Sequence, residues 1–326
     1  MMKISDREVY YNAFYSKTWQ HLYHYMDIRE DIKNIIRNYF KQECEIYYLG
    51  SRIIGIADNE ESDLDFFIDV GKNTYFRDRN YQYDLDNINY LSRVLMRSED
   101  WKFKRFNASI PSIKFVHIQT KIKCDISMTN GMSVHNSYLL AHLFDIQPEM
   151  APFYHYIKNW LKLFNVKFKG FTLTLLVIFY FQTKKYLPSI RKVQRLVEPI
   201  EFIDGFEVQF DDTRTRDDYG LKELKYYKDH LKDFFKFYSK FSYETKVICP
   251  YSGNEVDKCD YKYRIENTCA VTLAAPLLRR HNCAKYLSNL DLVNFINACD
   301  FSAKYLDEYK IPKSMMNDYK YFENES

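Results

Sequence analysis

Asp63 and Asp65 stand two residues apart in LGSRIIGIADNEESDLDFFIDV, the stretch from Leu49 to Val70. In an extended strand residues i and i+2 share a face, so the two carboxylates lie side by side. Like charges held together repel, and a cation between them offsets that cost. Magnesium takes oxygen ligands, usually a few carboxylates with phosphates and water. Two such ions about 3.5–4 Å apart can activate an attacking hydroxyl and grip a triphosphate, the requirement of nucleotidyl transfer. A third carboxylate on a neighbouring strand would complete the set, and Asp125 in IKCDISM is suited to it. Ahead of the acid pair, Gly50 permits close backbone approach, and backbone N–H groups with the Ser51 hydroxyl can bind phosphate oxygens. Taken singly, a D-x-D is usually a solvated strand face, a Gly-Ser a turn, and a strand Asp nothing in particular. Their combination in this order is much harder to obtain by chance.

These residues need a sheet to hold them. CEIYYLGS reads as a strand ending in a tight turn and SDLDFFIDV as a second strand, joined by the polar loop ADNEES into a hairpin-like unit. A third strand is expected in VHIQTKIKCDISM, where apolar and polar residues alternate. Ahead of the sheet, DIREDIKNIIRNYFKQ places Ile28, Ile32, Ile35, Ile36 and Phe40 at helical spacing. The first 135 residues therefore read as α+β. Beyond Asn130 the pattern turns helical: MSVHNSYLLAHLFDI, APFYHYIKNWLKLF, a nearly all-apolar and so buried FTLTLLVIFYFQTKKY, LKELKYYKDHLKDFFKFYSKF and DLVNFINACDFSAKYLDEY.

Composition sets the class. The 326 residues allow two or three domains, and 46% hydrophobic with 28% charged residues is ordinary for a globular chain. Aromatics reach 18%, whereas Gly and Pro number 8 each, which argues against disorder and a turn-rich all-β sandwich. The net charge of +3 neither announces nor forbids a nucleic-acid groove. None of the seven cysteines forms a C-x-x-C pair, so a zinc site is not expected. Reduced thiols, no signal peptide and no membrane span are read from the same sequence, so a cytoplasmic protein is expected.

With the motifs in hand, the stretch resembles the signature of the DNA polymerase β nucleotidyltransferase superfamily. More narrowly, it is similar to the group of terminal uridylyltransferases and cytoplasmic-type poly(A) polymerases. The likeness continues through CDISMTNGMSVHNSYLL, IKNWLKLF, FTLTLLVIFYFQ, LPSIRKVQ and APLLRRHNCAK. It implies an α+β, two-lobed enzyme with a small mixed-sheet catalytic domain over residues 30–135. A helical central domain follows from residues 1–29 and 136–326, with a nucleotide-recognition loop near 273–285 and the active site in the cleft. It implies Mg²⁺ (or Mn²⁺) on Asp63, Asp65 and Asp125, with Gly50 and Ser51 at the triphosphate. Asn136 would contact the ribose or base edge, with Ser137 beside it. Lys158 and Lys162, one helical turn apart, would hold the β- and γ-phosphates. Where the family usually has Ser-Tyr this chain has Gly170-Phe171, which keeps a stacking ring and loses two hydroxyls.

His281 takes the place of the histidine that reads uracil in uridylyl-adding members, with Asn282 following it, while the usual acids of that loop are replaced by Ala275 and Leu278. The resemblance thus implies UTP as donor and the 3′ end of single-stranded RNA as acceptor. ATP in place of UTP, giving a poly(A) polymerase, and an inactive RNA- or partner-binding scaffold are the two alternatives. No zinc knuckle or RNP motif is recognisable, so RNA choice is either loose or supplied by a protein partner. Lys102, Lys104, Arg105, Arg279 and Arg280 are candidates for the basic rim.

Overall fold

The computed structural model describes residues 25–305, apart from 41–43, 59–61, 71–76, 79, 108–110, 196, 198–200, 264 and 266–268. Residues 1–24 of the segment assigned to the helical domain lie outside the described residues, as do the middle of the ADNEES loop and the last residues of the tail helix. The chain forms two compact units, one up to Ala141 together with Ile200–Val208, the other His142–Pro199 with the remainder. This division differs from boundaries at 29/30 and 135/136. The helix α1 (Met26–Phe40) belongs wholly to the first unit. The short hairpin β6 (Phe202–Ile203) and β7 (Phe206–Glu207) joins that unit too. Asn130 explains the second difference, since its Nδ2 donates to Asp204 Oδ2 at 3.1 Å in the turn of that hairpin.

The first unit is built on a five-stranded sheet. Its strands are β1 (Cys44–Leu49), β2 (Leu64–Val70), β3 (Trp101–Asn107), β4 (Ser112–His117) and β5 (Lys123–Ser127), in the order β1-β2-β5-β4-β3. β2 and β5 run parallel and the other neighbours antiparallel, so the sheet is mixed, as expected. A short helix α2 (Ser51–Ile54) follows β1, and α3 (Tyr81–Leu95) follows β2, its first turn capped by Asn80 accepting from the Tyr83 amide. One face of the sheet is apolar: Leu64, Phe66 and Ile68 on β2, Cys124 and Ile126 on β5, Ile113 and Phe115 on β4, all buried. Ile28, Ile32 and Ile36 of α1 and Ile88, Leu91 and Leu95 of α3 are buried in the same unit. The alternate residues, Asp65, Asp125 and Lys114 among them, point to the other face.

The single strand expected over Val116–Met128 is corrected to a hairpin, β4 turning back into β5. The alternation continues through the turn and hides it. The turn is made by Lys121 in the left-handed region (φ 64°) and by Thr120, whose hydroxyl pairs with His117 Nδ1 at 2.9 Å.

The second unit is helical. Its helices are α4 (Met132–Ile146, shared with the first unit), α5 (Met150–Leu163), α6 (Gly170–Thr183), α7 (Ile190–Gln194), α8 (Leu231–Ser239) and α9 (Asn289–Tyr305). A small hairpin, β8 (Lys246–Cys249) and β9 (Asn254–Asp257), accompanies them. Every residue of α6 from Thr172 to Gln182 is buried, as its all-round apolar sequence requires. The aromatic content goes into this core. Phe153 of α5 packs on Phe181 and Phe234 at 4.9 and 5.3 Å between centroids, Trp160 on Phe235 at 4.6 Å and Tyr238 on Phe295 at 5.9 Å. The buried Tyr238 hydroxyl finds an acceptor within this core, donating to the Leu176 carbonyl at 2.7 Å.

The long helix expected over Leu221–Phe241 is reduced to a 3₁₀ turn, Tyr227–His230, running into α8. Gln147, itself buried, captures the backbone that would have continued it. Its Nε2 donates to the Lys222 carbonyl at 2.6 Å, and its Oε1 accepts from the Leu224 amide at 3.0 Å. Tertiary hydrogen bonds thus override an amphipathic pattern. Among the described residues no helix is long and apolar enough to cross a membrane.

Candidate active site

A row of side chains crosses the polar face of the sheet. Asp65 on β2 is the direct partner of Asp125 on β5, and Asp125 is the direct partner of Lys114 on β4. Asp63 lies just ahead of β2, two residues from Asp65 and so on its side. The three acids that the sequence singles out are therefore brought together by two adjacent strands, Asp63 just ahead of β2, Asp65 on β2 and Asp125 on β5. Burial of Asp65 first, then Asp125 and Asp63, pushes its carboxyl up to about 7. A site of like charges held out of water is costly when nothing neutralises it.

Lys114 carries no motif of its own in the sequence, yet it is the cation at this site. Its Nζ lies 2.5 Å from Asp63 Oδ2 and 3.1 Å from Asp125 Oδ2. Burial opposes its charge, but hydrogen bonds and attraction from the two carboxylates more than offset that, and its pKa is raised. As the side chains stand, no group of three or more acidic, His or Cys side chains among the described residues is arranged to hold a metal. The donor set nevertheless fits a hard divalent cation, being three carboxylates within one sheet face and no sulfur or imidazole.

Gly50 is fixed by its neighbours rather than by turn propensity alone. Its φ of 80° and ψ of −158° are open essentially to glycine. A Cβ there would fall 2.0 Å from Asp65 Oδ2. The backbone of Gly50 therefore lies against the central carboxylate. Its N–H donates to Ser137 Oγ at 3.0 Å, and that hydroxyl donates to the Ser133 carbonyl at 2.9 Å. Ser137, expected beside the nucleotide, thus ties the start of α4 to the glycine turn. Asn136 Nδ2 donates to the Met132 carbonyl at 2.9 Å, while its Oδ1 is buried and accepts no hydrogen bond among the described residues. That oxygen is available to a donor from a ligand. Ser51 opens α2 and is half-buried.

In the second unit, Lys158 and Lys162 both lie on α5, four residues apart and so on one face. The Lys158 ammonium is 5.9 Å from the centre of the Tyr154 ring, and Lys162 is exposed. Gly170 and Phe171 begin α6, and Phe171 is 38% exposed, unusual for a ring at the start of an otherwise buried helix. A Cβ on Gly170 would meet only the Tyr154 hydroxyl, at 3.5 Å, so a serine would fit.

The loop carrying His281 is held by Asn282. Buried Asn282 Oδ1 accepts from the amides of Leu273 at 3.1 Å and Ala284 at 2.9 Å, and its Nδ2 donates to the Val271 carbonyl at 2.9 Å. Ala275 N–H donates to the His281 carbonyl at 2.9 Å, closing the loop. Asn282→Ala is expected to lower stability by about 1–3 kcal/mol, since buried backbone groups lose their partner. An unchanged urea midpoint would show that the loop holds itself. Of the basic-rim candidates, Lys102, Lys104 and Arg105 are exposed on β3. Arg279 is corrected to a buried residue, its guanidinium stacked 4.1 Å from the centre of the Tyr251 ring.

Residues 9–144 match the family described as the central palm domain of mitochondrial-like poly(A) RNA polymerase. That match takes in less than half of the 326 residues and marks a likeness to this family. Among its relatives, the mitochondrial poly(A) RNA polymerase of Drosophila melanogaster is 27% identical over 195 residues, 56% of this chain and 30% of the relative. Terminal uridylyltransferase cid1 of Schizosaccharomyces pombe is 25% identical over 220 residues, 63% of this chain and 52% of the relative. The chain thus spans about a third to a half of these two nucleotidyltransferases. The crystal structure of mtPAP in complex with ATPγS shares the fold, with a TM-score of 0.72 at 19% identity, over 88% of this chain and 64% of that one.

Proposed function

We propose that this chain is a nucleotidyltransferase that adds nucleotides without a template to the 3′ end of single-stranded RNA, with UTP as the favoured donor. The observation that carries the reaction type is the row in which Asp65 and Asp125 are direct strand partners, with Asp63 beside them and Gly50 against Asp65. Asp63 and Asp65 would hold a magnesium ion shared with the triphosphate, and Asp125 an ion at the RNA hydroxyl. Bound there, magnesium supplies Lewis-acid activation and charge neutralisation. The 3′ oxygen forms a bond to the α-phosphorus as the bond to pyrophosphate breaks. Gly50 and Ser51 would cradle the triphosphate, Lys158 and Lys162 its terminal phosphates, Asn136 Oδ1 the ribose, and the exposed Phe171 ring the base. RNA choice is loose or borrowed from a protein partner.

UTP rests on His281, whose ring nitrogen can donate to uracil O4 where adenine offers a donor instead. ATP is the second reading, favoured by the poly(A) polymerases among the relatives, while Ala275 and Leu278 in place of the loop's usual acids loosen the discrimination. Purified protein with Mg²⁺ and labelled RNA, given each nucleoside triphosphate separately, decides. Extension with UTP supports the first reading, extension mainly with ATP the second, and none with any of the four the scaffold. His281→Ala is expected to raise ATP use relative to UTP by about tenfold, the worth of one hydrogen bond. An unchanged ratio would mean that another group reads the base.

A further inference from the structure

The acid cluster already holds a cation, and it is covalently attached. Register leaves Lys114 no other face: it is the antiparallel partner of Asp125, itself the parallel partner of Asp65. The ammonium draws Asp63 Oδ2 and Asp125 Oδ2 towards itself, at 2.5 and 3.1 Å. Magnesium binds carboxylate oxygen at about 2.0–2.1 Å, so an ion on those two oxygens would fall within contact of Nζ. Ammonium and metal therefore exclude one another. The ammonium is also a single charge among three carboxylates, and a lysine is a compact charge on a flexible four-carbon stem. The Lys114 side chain is 41% exposed, so it has solvent to swing into.

We propose that Lys114 is a tethered competitor for the catalytic metal, holding the carboxylates together in the nucleotide-free protein and leaving them when a metal enters. This rests on the metal-site reading above. Its consequence is that the empty protein binds divalent ions weakly, and the metal is taken up together with the nucleotide, whose phosphates add ligands that the carboxylates alone do not supply.

The test is Mn²⁺ binding to the full chain without nucleotide, read by the electron paramagnetic resonance of free Mn²⁺. Lys114→Met and Lys114→Gln remove the charge and are expected to tighten binding by about tenfold or more. Lys114→Arg keeps the charge and should stay within a few-fold of the wild type. Without metal, Lys114→Met should melt lower than the wild type, and Mn²⁺ should raise its Tm by more. Equal or weaker Mn²⁺ binding by both neutral variants would overturn the competitor role. If Asp125→Asn then still removed the ion, the metal site itself would stand. If no variant bound Mn²⁺ at any concentration that saturates a carboxylate site, both readings would fall.

Discussion

Asp65→Asn protein is expected to fold, to resist denaturation better than the wild type in the absence of metal, and to add no nucleotide. The substitution removes a charge from the centre of the acid row, where Asp65 pairs directly with Asp125. Metal-borne stabilisation of transition-state charge amounts to several kcal/mol, so the rate should fall by at least about 10³-fold. The stability effect has the opposite sign. The Asp65 carboxyl is raised from 3.8 to about 7 by burial, then by Asp125 and Asp63. A carboxyl raised in the folded state holds its proton more tightly there than when unfolded. Folding stability is therefore lost as pH rises through the window between those values, and the full cost is present above pH 7. Asparagine has no such cost, and a gain on the order of 2 kcal/mol is expected at pH 8, vanishing towards pH 4. Urea unfolding in EDTA at the two pH values measures it. A variant less stable at pH 8, or one that still extends RNA, would mean that Asp65 serves the fold rather than the chemistry.

Gly50→Ala has the second largest expected effect, and it acts through the same carboxylate. The added methyl would sit 2.0 Å from Asp65 Oδ2, so either the glycine turn or the acid must move. The backbone conformation itself, φ 80° with ψ −158°, costs about 1–3 kcal/mol for a residue with a Cβ. A displacement of about 1 Å at a reacting centre lowers rates by about 10²-fold, and a loss of at least that size is expected. Gly55 supplies the comparison. It also has positive φ, at 78°, but a Cβ there meets nothing within 4 Å. Gly55→Ala should therefore lose some stability and keep its rate. Equal activity of the two variants would show that the closeness of Gly50 to Asp65 is incidental.

The three carboxylates and the Gly-Ser were legible in the sequence because each sits in a short motif whose spacing survives folding. The helices α4, α5 and α6 were legible too, since their apolar patterns match the burial they achieve. Lys114 was not, and the reason is specific. Its place beside the acids is a matter of register, and register depends on where β4 turns into β5. That turn uses Lys121 at positive φ, with no glycine or proline to mark it, inside an alternation that runs on undisturbed. Read as one strand, the segment never brings Lys114 back opposite Asp125. The shortened helix before α8 was hidden similarly, because the glutamine that captures its backbone lies more than seventy residues earlier.

The loop around His281 has one more consequence. Its shape is written in main-chain groups, Ala275 bonded to His281 and three backbone partners gathered by Asn282. Such bonds are available whichever side chains stand at 275, 278 and 281. The part of the molecule proposed to choose the base can therefore be rewritten one residue at a time while its frame stays put. A change of base preference at this loop would then need no new architecture, in keeping with relatives that carry the names of both a poly(A) RNA polymerase and a terminal uridylyltransferase.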